Sequence, residues 1–142
     1  MTGVRSPDRN QRIPVNAPDC RTMVRKLAKI AFFIGLVAVI ALSLLPQETL
    51  PETGTWDELN HALAYAVLAV AGGFGFEGWR SLLMVGLGLV VLGAGLELAQ
   101  SATPGRDGSI QDALANLVGI ALGSLALAAT NTFLRDRIGT RR

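Results

Sequence analysis

Apolar and polar positions in this chain come in blocks. Across residues 30–45, 59–76, 81–101 and 113–134 the only Asp, Glu, Lys or Arg is Glu97. A helix on the surface of a water-soluble domain shows a polar face at every turn, and these blocks have none. At about 1.5 Å per residue they would run roughly 24 to 33 Å as helices, close to the hydrocarbon thickness of a bilayer. The pattern predicts an all-α protein, an integral membrane bundle of four transmembrane helices. These run from Leu27 to Leu45, from Leu59 to Phe76, from Ser81 to Ser101 and from Ile110 to Leu134. Residues 1–26, basic and interrupted by Pro7, Pro14 and Pro18, lack any apolar period and read as a disordered cytoplasmic tail. Residues 27–134 form the membrane domain and 135–142 a second basic tail. The first helix reads as an uncleaved span, because its basic leader is longer than that of a signal peptide.

Charge orients the bundle. Every Lys and Arg except Arg106 lies before the first block, after the last, or at Arg80 in the middle loop. Loops 46–58 and 102–112 carry Glu48, Glu52, Asp57, Glu58, Asp107 and Asp112 instead. The positive-inside rule then places both termini in the cytoplasm. The net charge of +2 and the pI near 9.2 report this topology; they are no nucleic-acid footprint, and membrane lipids are the expected partners. A lone Cys20 excludes a disulfide scaffold.

Helix ends align the polar residues. Thr55 with Glu58, and Ser109 with Asp112, fit the capping-box spacing and mark the outer ends of the second and fourth helices, while Pro104-Gly105 stops the third. Counted inward from those ends, His61, Glu97 and Asn116 fall at one depth, roughly 9 to 11 Å below the boundary. Gln100 lies one turn above Glu97 and Asp112 one turn above Asn116. An ionisable side chain in a span costs about 2.5 to 3.5 kcal/mol on insertion scales, so it faces the bundle interior or a wet cavity. The expectation is an outward-opening polar cavity roofed by residues 103–112, with Arg106 as its only cation.

The string Asp57-Glu58-Leu59-Asn60-His61-Ala62-Leu63-Ala64-Tyr65, then Glu97-Leu98-Ala99-Gln100, Pro104-Gly105-Arg106 and Asp112-Ala113-Leu114-Ala115-Asn116-Leu117-Val118-Gly119 with Gly123, resembles the VanZ-like family over about residues 27–134. That resemblance implies a bacterial plasma-membrane protein of four helices, in a family named for a member associated with low-level teicoplanin resistance. It implies no general reaction. Its motif residues match His61, Tyr65, Glu97, Gln100, Arg106, Asp112 and Asn116. Glu58 stands where members often carry Lys, which puts any cation role at that position in doubt.

Each candidate has two readings. His61 is an acid or base, or a histidine held by an interhelical hydrogen bond. Glu97 is a buried general base, or ties its helix to the loop through Arg106. Arg106 suits a phosphate or carboxylate through its planar fork, or pairs with Asp107 or Asp112. Asp112 serves the cavity or the helix cap, Asn116 the cavity or interhelical bonding, and Tyr65 reads as packing. Gly119 and Gly123 form a small-residue face for close helix contact, as do Gly86, Gly88, Gly93 and Gly95, and such faces also suit a homo-oligomer. Gly73 to Gly78 matches a dinucleotide pattern by letter alone, without a strand or βαβ unit. One His and scattered carboxylates show no metal-ligand spacing, so no metal or cofactor is expected.

The leading functional expectation is a cavity that binds a polar or anionic envelope ligand, such as a lipid head group, and modulates glycopeptide susceptibility. Its ligand contacts would be Arg106, Gln100, Asp112, Asn116, Glu97 and His61. One alternative is an enzyme acting on a lipid-linked envelope substrate with His61 and Glu97 as acid and base; Ser101 and Ser109 are its only nucleophile candidates. Absence of product from envelope lipids at every pH tested would count against it. The other alternative is a structural scaffold, which predicts that Glu97→Gln is silent. Lost function in a folded Glu97→Gln protein would sink it.

Overall fold

The computed structural model describes residues 19–45, 57–102 and 109–139, with side chains described as far as Asn131. They form four α-helices: α1 (Cys20–Leu44), α2 (Asp57–Gly75), α3 (Trp79–Ser101) and α4 (Ile110–Gly139). α1 starts upstream of the expected Leu27. Asp19 caps it, its carboxylate accepting the Arg21 amide at 3.4 Å, and the basic residues that follow are good helix formers. Residues 20–26, expected in a disordered tail, are therefore helical: their charge bars them from hydrocarbon without hindering internal backbone hydrogen bonds. For the same reason α4 continues past Leu134 to Gly139. The remaining tail residues 1–18 and 140–142 lie outside the described residues.

The segments Cys20–Leu44, Trp79–Ser101 and Ile110–Asn131 are long and apolar enough to cross a membrane. They make the chain a multi-pass membrane protein. α2 does not meet that standard. Its 19 residues reach about 28 Å, but Asp57, Glu58, Asn60 and His61 crowd its start and three glycines dilute its end. It occupies a sheltered position instead, touching each of the other three helices, while among the described residues α1 and α4 do not meet.

The helices run up and down. The end of α1, the start of α2, the end of α3 and the start of α4 share one end of the bundle, because Gln100 reaches the Ser43 carbonyl and His61 reaches Asn116. At the other end Arg25 pairs with Glu77 at 3.1 Å, and the Lys29 ammonium stands 5.1 Å from the Phe76 ring centre. Gly78, with φ of 94°, makes the turn into α3 in a backbone region that side chains disfavour. Because both Arg25 and Glu77 are substantially exposed, Arg25→Ala is expected to cost less than about 1 kcal/mol in a detergent melt. A larger loss would show that this pair holds α1 in place.

Phe32, Tyr65, Leu68, Ala69, Leu89 and Ile120 form the core. Facing away from it, Ile34 and Val37 of α1, Leu63 and Val67 of α2, Met84 and Val91 of α3, and Leu122 and Leu125 of α4 are exposed, a surface suited to lipid acyl chains and costly in water. The most extensive helix contact joins α2 and α4. It depends on Gly119, where a Cβ would fall on the Ala62 carbonyl, and on Gly123, where it would lie 2.5 Å from the Ala66 oxygen. The small-residue face expected at Gly119 and Gly123 thus serves a close helix contact inside the chain. Gly86, Gly88 and Gly95 of α3 face open space.

Candidate functional site

Helical periodicity puts the polar groups above the apolar core on the same inward stripes. On α4, Asp112, Asn116, Gly119, Gly123 and Leu127 follow one another at three- and four-residue steps; on α3, Leu89, Gly93, Glu97 and Gln100 do so. On α2, Asp57 and His61 continue the line of Tyr65, Ala69 and Gly72. Each stripe is apolar or small where it meets the core and polar in the turns at one shared end of the bundle, the first turns of α2 and α4 and the last of α3, so packing the core brings three polar tips together.

At their junction His61 Nδ1 lies 3.2 Å from Asn116 Oδ1 and 4.0 Å from Glu97 Oε1. Asn116 is 3% exposed and Glu97 8%. The other Glu97 oxygen accepts the backbone N–H of Ser109 at 3.0 Å. The sequence assigns that role to Asp112, as the acidic member of a capping box. Instead a carboxylate from a different helix takes the cap amide, and Asp112 turns toward α2. There Asp57, His61 and Asp112 each offer a ligand atom, all within 4.8 Å of one another. The carboxylates that look scattered along the chain are gathered by the fold. Asp57 is the member that sequence reasoning missed as a site residue, and its signal was the four-residue step to His61, which puts both on one face.

Gln100 is placed differently from expectation. Its amide nitrogen donates to the Ser43 carbonyl at 3.0 Å, tying α3 to the end of α1. Tyr65 is 1% exposed, as packing requires, yet its hydroxyl has no hydrogen-bond partner among the described residues. It abuts Gly93 beside the Asn116 amide: a Cβ at Gly93 would lie 3.2 Å from the phenol oxygen and 3.1 Å from Asn116 Nδ2. The hydroxyls of the two serines proposed as nucleophiles are each engaged by another residue. Ser101 donates to the Glu97 carbonyl at 2.9 Å, and Ser109 donates to Gln111 at 2.7 Å. Arg106, Pro104-Gly105, the roofing loop 103–108 and the Thr55 cap lie outside the described residues.

A cavity of about 580 Å³, lined by Phe32, Leu36, Phe76, Met84, Val85 and Leu89 with Arg80 also in its wall, opens between α1 and α3. Its lining is mostly hydrocarbon, and it lies away from the polar cluster. Comparison of the chain with protein-family models, curated proteins and solved structures gives no match.

Proposed function

We propose that this chain is a VanZ-like protein of the bacterial plasma membrane whose outward-facing polar cavity holds the polar or anionic head group of an envelope ligand, such as a lipid, and so modulates glycopeptide susceptibility. The observation that carries the reading is the meeting of Glu97, His61 and Asn116, from three separate helices, directly above the apolar core. A membrane protein retains such costly groups where they do work. Glu97 and Asp112 accept hydrogen bonds from hydroxyl or amine groups of the ligand, His61 and Asn116 orient it, the carboxamide of Gln100 lines the entrance, and Arg106 takes its phosphate or carboxylate.

In this reading α2 is the fourth span: Leu59, Leu63, Val67 and Phe74 give it a lipid-facing stripe, and its polar start borders the cavity. Asp57, Glu58 and Asp112 mark one end of the bundle, whereas Arg21, Arg25, Lys26, Lys29 and Arg80 mark the other. That separation supports cytoplasmic termini under the positive-inside rule. Among the described residues, the two serines that the enzymatic alternative would use bond to the Glu97 carbonyl and to Gln111, which favours binding.

The test is mass spectrometry of wild-type and Arg106→Ala protein purified in mild detergent. An envelope lipid is expected with the wild type, and at least tenfold less with Arg106→Ala. Equal lipid on both proteins, together with unchanged glycopeptide susceptibility, overturns the reading.

A further inference from the structure

The polar end of the bundle contains a set of donors, two of them shared with the head-group reading, whose arrangement also fits a cation. Asp57 and His61 sit four residues apart on α2, the step that directs two side chains of one helix at a common point. Asp112, in the first turn of α4, completes the set from across the helix pair, and the three ligand atoms lie within 4.8 Å of one another. One imidazole nitrogen and two carboxylate oxygens at this spacing match the donor number of an open metal site, in which three protein ligands leave a position for water or another ligand.

A second, independent observation concerns Nδ1 of the imidazole. Histidines that bind metals through one ring nitrogen have the second held by a hydrogen-bond acceptor, which sets the tautomer. The Asn116 carboxamide oxygen stands 3.2 Å from His61 Nδ1, with a Glu97 oxygen at 4.0 Å. Asn116 is buried, and its helix is fixed against α2 by the Gly119 contact at Ala62. An Nδ1–H donated to Asn116 leaves the lone pair on Nε2, the state needed for coordination. The two aspartates also place negative charges side by side, an arrangement that a divalent cation relieves.

We propose that Asp57, His61 and Asp112 bind a divalent transition-metal ion of the Zn²⁺ or Mn²⁺ class, with Nε2 of His61 as the nitrogen ligand and Asn116 as its positioning residue. Imidazole favours Zn²⁺ over Mg²⁺ or Ca²⁺, and the two carboxylates keep Mn²⁺ within range. The site stands on side-chain geometry and does not depend on the lipid-binding reading. At the mouth of the polar cluster, it would give the cavity a positive centre that the acidic residues alone lack.

The full chain, purified in mild detergent and stripped with a chelator, is dialysed against micromolar Zn²⁺, and bound zinc is counted by elemental mass spectrometry. About one ion per chain is expected for the wild type. His61→Gln and the near-isosteric Asp112→Asn should each lower affinity at least tenfold, and Asn116→Leu about tenfold through the ring orientation. Glu77→Gln, an acidic change at the opposite end, should leave binding unchanged. Co²⁺ added to the stripped wild type should give the visible absorption of a nitrogen- and oxygen-ligated ion, a readout that needs no variant to fold. No Co²⁺ band, or zinc held equally by wild type and Asp112→Asn, overturns the proposal. Because zinc binding is counted separately from lipid retention, that failure leaves the head-group reading standing. Conversely, zinc bound by a protein whose lipid retention ignores Arg106 removes the head-group reading alone.

Discussion

Gly119→Ala is expected to destabilise the protein by about 3 kcal/mol, at the upper end of what overpacking a core costs. The added methyl would fall on the carbonyl oxygen of Ala62, which is backbone within α2 and cannot rotate aside. Relief requires α2 and α4 to separate along the most extensive helix contact in the fold, and that separation would also pull Asn116 from His61. Thermal unfolding in detergent, followed by size-exclusion chromatography, gives the measurement. Gly86→Ala is the control, since a Cβ there meets nothing within 4 Å and alanine is the better helix former; it should melt at or slightly above the wild-type temperature. If Gly119→Ala melts with the wild type, the α2–α4 crossing described above is wrong.

Glu97 should separate structure from ligand binding. Glu97→Ala removes the acceptor for the Ser109 amide and the carboxylate beside His61 while opening space in a buried position, and about 2 to 4 kcal/mol of stability should go with them. Glu97→Gln keeps an oxygen that can accept from Ser109, so most of that stability should return. What it loses is the negative charge 4.0 Å from His61. Retention of the co-purified lipid should then fall at least tenfold in a protein that melts within about 1 kcal/mol of the wild type. Full retention by Glu97→Gln would leave the polar cluster as interhelical bonding and favour the scaffold reading. A Glu97→Gln protein as unstable as Glu97→Ala would show that the charge itself holds α3 to the start of α4.

Much of the fold was legible because membrane burial imposes a coarse rule: a span must be apolar all round, whatever its partners. Three of the four expected spans follow from that rule alone. α2 is the instructive exception. Its polar start and glycine-rich end are tolerated because other helices, rather than lipid, cover much of its surface, and the chain alone does not reveal which helix will be sheltered. The helical limits at Cys20 and Gly139 were missed because loss of hydropathy marks where a membrane ends, while a helix continues as long as its backbone and caps allow.

Depth along the bundle was set by the sequence, since counting residues from helix ends places His61, Glu97 and Asn116 in one layer at a fixed rise per residue. Rotation about each helix axis and the choice of neighbours came only with tertiary structure. The close crossing at Gly119 and Gly123 brings Asn116 against His61, the Glu97 oxygen displaces Asp112 from the Ser109 amide, and Asp112 thereby joins Asp57 and His61. The physical reason is that hydropathy is a property of single residues, read at their positions in the chain. A cap exchange or a three-donor cluster is a property of distances between helices, and these are decided by how closely two backbones can approach.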